Sequence, residues 1–221
     1  MSTYILMKIL ESAPSRYDRG IRFLTLGSLD PAYDDLISLI PPQTNVLDIG
    51  CGTGALSLRA ALKGAQVKGV DINPGMMEIA SQRAVQADLQ DKIRFCEMGV
   101  AELDSEPDEF YDAVISGLCF SELTDDEIDF ALRQAYRLLK PGGQLLIADE
   151  VRPRSRAKRI LNAFLRGPLV IITWLITQTT TSAVVDLPEK VSASGFTLQS
   201  VSFNALETFL TLKAQKPGGN A

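Results

Sequence analysis

Residues 46–54 of the chain read Val-Leu-Asp-Ile-Gly-Cys-Gly-Thr-Gly. An apolar strand with Asp48 one residue before its end runs into a loop carrying Gly50, Gly52 and Gly54, and a helix-forming stretch follows. That order is half of a βαβ unit. Its glycines let the backbone turn tightly and let a nucleotide-like ligand approach at the carboxyl edge of a sheet without meeting a Cβ. The next apolar run, 67–71, again closes on an acid, Asp71. A carboxylate there can accept both hydroxyls of a ribose, each charge-assisted bond contributing about 1.5–3 kcal/mol. Ile72 beside it offers an apolar face to a base.

The rest of the pattern extends the unit into a sheet. Pro31 opens a helix over 32–40, which Pro41-Pro42 stops. Strands are expected at 46–49, 67–71, 93–97, 112–116 and 144–148, with helices over 55–63 and 74–87 between the first three. Thr124-Asp125-Asp126-Glu127 is a capping box, so a helix starts there with Ile128, Leu132, Ala135, Leu138 and Leu139 on its apolar face; Lys140-Pro141-Gly142-Gly143 ends it. Runs at 196–202 and 208–214 have no helix between them and are expected to pair antiparallel. The fold class is therefore α/β: a Rossmann-like doubly wound sheet of seven strands, mostly parallel with a C-terminal antiparallel hairpin. The 221 residues fit one domain, with 1–42 as an N-terminal helical cap.

Composition narrows the chemistry. The chain has no histidine, which removes the commonest general base, the Ser/Cys–His nucleophiles and most transition-metal sites, so no metal is expected. A net charge of −5 does not favour nucleic acid. Cys51, Cys96 and Cys119 have no zinc spacing and are odd in number, and free thiols suit a reducing cytoplasm. The start leads no signal peptide, since Lys8 and Glu11 interrupt its short apolar stretch.

On these residues the chain resembles the class I S-adenosylmethionine-dependent methyltransferases. The resemblance implies S-adenosylmethionine as cofactor and S-adenosylhomocysteine as product. Gly50, Gly52 and Gly54 would surround the methionine part with Asp48 beside it, and Asp71 would hold the ribose. Residues 97–103 correspond to the adenine motif and 111–116 to the fourth motif, with Ser116 near the cofactor. Leu138-Leu139-Lys140-Pro141-Gly142-Gly143 is similar to a turn of the quinone-biosynthesis-like subgroup. One position departs: where the family carries an acid before the Ala-Glu of the adenine motif, this chain has Val100, leaving backbone groups of Val100 and Ala101 to hold the ring. A dinucleotide fingerprint, Gly50-x-Gly52-x-x-Ala55, is the competing reading, a nicotinamide enzyme. Against it stand Asp48 in the strand, Gly54 in the loop and the lack of Arg or Lys between Gly50 and Leu58.

Methyl transfer from a sulfonium needs positioning and desolvation more than acid–base help. Candidate groups at the ends of strands four and five are Ser116, Ser121, Glu122, Asp149 and Glu150; Asp149 or Glu150 would serve as base if burial raised its pKa. Tyr17 would close over the cofactor from the N-terminal segment, or pack as an ordinary helix tyrosine. Cys51 and Cys119 read as small buried residues rather than as thiol chemistry. The stretch 151–186 is expected to form an acceptor lid. Within it Arg152, Arg154, Arg156, Lys158 and Arg159 form a basic cluster ahead of the apolar run 169–176, which is too short to span a bilayer. Besides a lid over a small apolar acceptor, residues 152–176 admit a peripheral membrane contact through Trp174 or a docking site for a protein partner.

Four further runs, 16–21, 117–123, 148–151 and 176–181, are similar to corrinoid protein-associated methyltransferases of anaerobic microbes. That resemblance implies a link to corrinoid methyl transfer. With no histidine to serve as lower ligand, a partner corrinoid protein would have to present the cobalt, whose nucleophilic form needs no base. A non-catalytic accessory protein that binds the cofactor and docks a corrinoid protein is the alternative function.

Overall fold

In the computed structural model, residues 29–155 and 183–218 are described. Their elements are α1 (Leu29–Ser38), β1 (Asn45–Ile49), α2 (Ala55–Leu62), β2 (Gln66–Asp71), α3 (Pro74–Gln86), β3 (Ile93–Glu97), β4 (Tyr111–Gly117), α4 (Asp125–Leu138), β5 (Leu139–Glu150), α5 (Leu187–Ala193), β6 (Thr197–Phe203) and β7 (Phe209–Gln215). One seven-stranded sheet runs β3-β2-β1-β4-β5-β7-β6. The first five strands are parallel, and β7 enters antiparallel between β5 and β6. The expected class is the observed one.

Covered on both faces, the central strands are apolar nearly throughout, as parallel strands must be. Leu47, Val114, Leu145 and Leu212 face the layer of α4 and α5, packed on Leu132, Leu138, Leu187 and Val191. Val46, Ile115, Leu146 and Ala148 face α1 and α2, packed on Leu36, Ile40, Ala60 and Ala61. Burying one such Leu or Ile contributes about 1.5–3 kcal/mol, which makes the sheet a stiff platform for whatever sits on its edge.

The helix starts follow local chemistry. Asn73 Oδ1 accepts from the N–H groups of Gly75 (3.0 Å) and Met76 (3.3 Å), with Pro74 at the first helical position of α3. Thr124 and Glu127 close the capping box of α4 reciprocally, the Thr124 N–H donating to Glu127 Oε2 at 2.8 Å. Two expectations shift. The first helix begins at Leu29, two residues ahead of Pro31, because proline is tolerated anywhere in a first turn. Strand β5 begins at Leu139, so Lys140–Gly143 does not separate helix from strand. Between the pairs Tyr111↔Leu139 and Ala113↔Gln144 the ladder takes up this extra length as a bulge, with Gly142 at φ 81°.

The chain runs β1, β2, β3 in one direction and then returns to place β4 against the other side of β1. The crevice of a doubly wound sheet opens at that switch point, beyond the carboxyl ends of β1 and β4.

Candidate active site

A cavity of about 1080 Å³ lies at this switch point. Its walls come from the loop after β1 (Gly50–Thr53), the end of β2 (Asp71, Ile72), the turn after β3 (Met98–Ala101), the end of β4 (Gly117–Cys119) and the inner face of α1 (Leu29, Asp30, Tyr33).

The glycine loop is shaped by two close approaches. Gly50 and Cys51 both donate their N–H groups to the Val70 carbonyl at 2.9 Å, which pulls the loop onto β2. Gly50 has φ 68°, and a Cβ there would meet Cys119 Sγ at 2.4 Å. Gly52 has φ 52° and nothing within 4 Å of where its Cβ would be, so it presents bare backbone to open space. That bare face suits a cofactor lying against the loop.

Asp71 ties this loop to the next. Its Oδ2 accepts from the Gly52 N–H and its Oδ1 from the Asn73 N–H, both at 2.8 Å. Ile72 beside it is 72% exposed and lines the cavity, an apolar surface that water covers unless a flat ligand does. Across from it, Val100 and Ala101 line the cavity on the 3-10 turn Val100–Ser105. Glu102 closes that turn by accepting the Gly99 N–H at 2.7 Å.

Asp48 lies behind the loop rather than in the cavity. It is buried; its Oδ2 accepts from the Ser57 hydroxyl at 2.6 Å, and its Oδ1 has no hydrogen-bond partner among the described residues. Burial pushes its pKa up to about 7, because removing a carboxylate from water favours the neutral form.

The residues expected at the ends of β4 and β5 are placed differently, and three assignments are corrected. Ser116 is fully buried and donates to the Ile49 carbonyl at 2.8 Å, so it pins β4 to β1 instead of meeting a ligand. Asp149 is fully buried and turned away from the cavity. Its Oδ2 accepts from the Phe120 N–H at 2.7 Å, and its Oδ1 from those of Glu150 (2.7 Å) and Ser121 (3.3 Å), so it holds the turn after β4. Its pKa is also pushed up to about 7, burial again outweighing the bonds that favour the anion. Glu150 is buried and lines no part of the cavity. Neither acid is in position to take a proton from a molecule held there. Tyr17 and all of 156–182, with most of the expected lid, lie outside the described residues.

Other side chains do reach the cavity. Glu122, named earlier as a candidate, lines it, as do Leu123 and Glu127. Cys51 and Cys119 line it too, but burial pushes both thiols well above their usual pKa and keeps them protonated. The wall contributed by Tyr33 and Arg59 had no signal in the sequence. Tyr33 occupies an ordinary apolar position of an amphipathic helix, and Arg59 an ordinary polar one. Among the described residues no group of three or more His, Cys, Asp or Glu could hold a metal ion, and no helix is long and apolar enough to cross a membrane.

The sheet order, the glycine loop and the acid ending β2 are the pattern shared by class I S-adenosylmethionine-dependent methyltransferases, which this chain resembles. Residues 46–143 match the model of a methyltransferase domain. The Rhodopseudomonas palustris (strain BisB5) ubiquinone/menaquinone biosynthesis C-methyltransferase is 38% identical over 150 residues, which cover 64% of this chain and 58% of that protein. This chain thus spans less than two thirds of that relative's length. Among solved structures, geranyl diphosphate C-methyltransferase from Streptomyces coelicolor A3(2), in complex with Mg2+, geranyl diphosphate and S-adenosyl-L-homocysteine, superposes with a TM-score of 0.66 at 11% identity, covering 91% of this chain and 84% of that one. The [4+2]-cyclase SpnF superposes with a TM-score of 0.69 at 20% identity, covering 86% and 82%. A cyclase on the same fold illustrates that the fold alone does not set the reaction. S-adenosylmethionine is the cofactor of the family.

Proposed function

We propose that this protein transfers the methyl group of S-adenosylmethionine to a small, largely apolar acceptor bound in the same cavity. The observation that carries the proposal is the continuity of that cavity: one space of about 1080 Å³ runs from the adenine side at Met98–Ala101, past Gly52 and Asp71, to the β4 edge at Gly117–Cys119. That volume lies above the range of about 300–1,000 Å³ for a pocket that takes one drug-sized ligand, which supports an acceptor beside the cofactor. The cofactor supplies a methyl on a positively charged sulfur that a nucleophile displaces in line.

The chain's own part is to hold, orient and exclude water. Gly52 offers bare backbone to the methionine portion, Ile72 and Val100 offer apolar faces to the base, and Asp71 accepts from the ribose. A carboxylate has about four acceptor sites, so fixing the loop and receiving ribose hydroxyls are compatible. With Asp149 and Glu150 turned inward and no histidine in the chain, an acceptor that needs no protein base is favoured. A corrinoid carried by a partner protein is such an acceptor and is the second reading. The similarity to the Rhodopseudomonas C-methyltransferase supports carbon acceptors first. A cytoplasmic site of action is part of the proposal, supported by three free thiols.

The test is release of S-adenosylhomocysteine on incubation with S-adenosylmethionine and a panel of reduced quinones, prenyl diphosphates and reduced corrinoid proteins. Product with a quinone or prenyl acceptor supports the first reading, and product with a corrinoid protein alone supports the second. Tight cofactor binding with no product from any acceptor contradicts both and leaves a non-catalytic binding protein.

A further inference from the structure

The two edges of the sheet are guarded unequally. β3 closes one side with Ile-Arg-Phe-Cys-Glu, in which Arg94 and Glu97 are exposed. Charges of this kind protect an outermost strand, whose free N–H and C=O groups otherwise accept another strand. β6 closes the other side with Thr-Leu-Gln-Ser-Val-Ser-Phe. Those seven residues include no charge and no proline, and Thr197, Gln199, Ser200, Ser202 and Phe203 are exposed. Among the described residues no strand pairs with the outer side of β6. A bulge between Leu198 and Ser200 interrupts the strand early and leaves 200–203 in regular register with β7.

An apolar corner continues this edge. Phe203 (38% exposed), Leu206 (40%) and Val185 (41%) are three of the seven large hydrophobic residues exposed among the described residues. All three are held in place. Leu206 stands in a turn that Asn204 closes, its Oδ1 accepting from the N–H groups of Thr208 (2.8 Å) and Phe209 (3.2 Å). Val185 follows Val184, whose carbonyl accepts the Arg152 N–H at 3.0 Å. The Arg154 guanidinium lies 5.7 Å from the Phe203 ring centroid and pairs with Glu189 at 2.5 Å. The exposed charges around the corner are balanced, Arg152 and Arg154 against Asp186 and Glu189. A balanced patch gives an anionic membrane or a nucleic acid little to hold. A surface that carries both signs and meets itself about a two-fold axis sets each charge against the opposite one.

We infer that two copies of this chain associate edge to edge through β6, making one continuous antiparallel sheet. With Ser202 on the two-fold axis, Val201 of each copy stands opposite Phe203 of the other, a cross-strand pair of the aromatic and β-branched kind that stabilises sheets. Phe203 gains an apolar neighbour, and backbone groups on the outer side of 200–203 gain partners. So short a seam buries less than a standard interface of about 1,600 Å², so the dimer is weak and concentration-dependent. The inference stands apart from the proposed methyl transfer, which needs only one copy's cavity.

Analytical ultracentrifugation of the full chain across a range of concentrations reads the association directly. The wild type is expected to pass from monomer to dimer as concentration rises. Ser202→Lys sets two like charges face to face on the axis and is expected to weaken the dimer about fivefold or more, as is Ser202→Glu. An equal mixture of the two variants is expected to recover it. Ser202 is exposed at the edge, and circular dichroism establishes that each variant is folded. A wild type that stays monomeric at every concentration overturns the inference. So does a dimer that neither variant weakens, or a mixture no stronger than each variant alone. A monomer that sediments with anionic vesicles overturns it too and assigns the corner to lipid. Cofactor titration reads the same in each case, so failure here is distinct from failure of the cofactor site.

Discussion

The carboxyl ends of β1–β4 border one cavity, and the acids at the ends of β2, beside it, and of β5, outside it, are used in opposite ways. On the first side Asp71 faces the cavity and braces the glycine loop that lines it, accepting from Gly52 and Asn73 at 2.8 Å. On the second side Asp149 is withdrawn into the fold and spent on the N–H groups of Phe120, Ser121 and Glu150. Both acids end a strand and both look chemically available in the sequence. The difference is which polar groups surround each one: a strand-end carboxylate beside a turn with unpaired N–H groups becomes structural.

The largest effect that separates the two sides is on stability. Asp149→Ala leaves three backbone N–H groups in a buried place without their acceptor, so a loss of about 3 kcal/mol or more is expected in urea unfolding. A variant as stable as wild type but inactive would return Asp149 to the chemistry. Asp71→Ala is expected to act on the ligand: affinity for S-adenosylmethionine should fall about tenfold or more, read by calorimetry. Unchanged affinity would remove Asp71 from the site.

A pH experiment sharpens the same contrast with Asp48. Its folded pKa is raised from 3.8 to about 7, so between those values the folded chain binds more protons at this group than the unfolded chain does. Its contribution is therefore complete below about pH 3.8 and is lost as pH rises toward 7. Asp149 titrates in the same direction over the same window. Asp48→Asn is expected to make the fall in unfolding free energy between pH 5 and pH 8 shallower. An identical slope in wild type and variant would mean that Asp48 stays charged there. The smallest effect is on the adenine side, where Val100→Asp is expected to raise cofactor affinity about threefold by adding an acceptor for the amino group. A fall in affinity would mean that the apolar face of Val100 is what the ring uses.

What the sequence revealed follows the same division. The parallel core, the C-terminal antiparallel pair, the glycine loop and the place of Asp71 were legible because each depends on backbone geometry written locally: glycine spacing, an apolar run, an acid at its end. The length of β5 was not, since Pro141-Gly142-Gly143 reads as a stop while the β4 ladder takes it up as a bulge. The roles of Ser116 and Asp149 were not legible either, because their partners lie 67 and 28–29 residues away. Tyr33 was missed for a related reason: its place over Gly117 joins two segments 84 positions apart in the numbering, and only a glycine at the end of β4 hints at it.

The most direct measurement is calorimetric titration of the purified chain with S-adenosylmethionine, S-adenosylhomocysteine and NADH. Binding of the first two in the micromolar range, with no heat from NADH, is the expected result and fixes the switch-point cavity as a methyltransferase cofactor site. Binding of NADH instead, or of none of the three, would contradict the central claim.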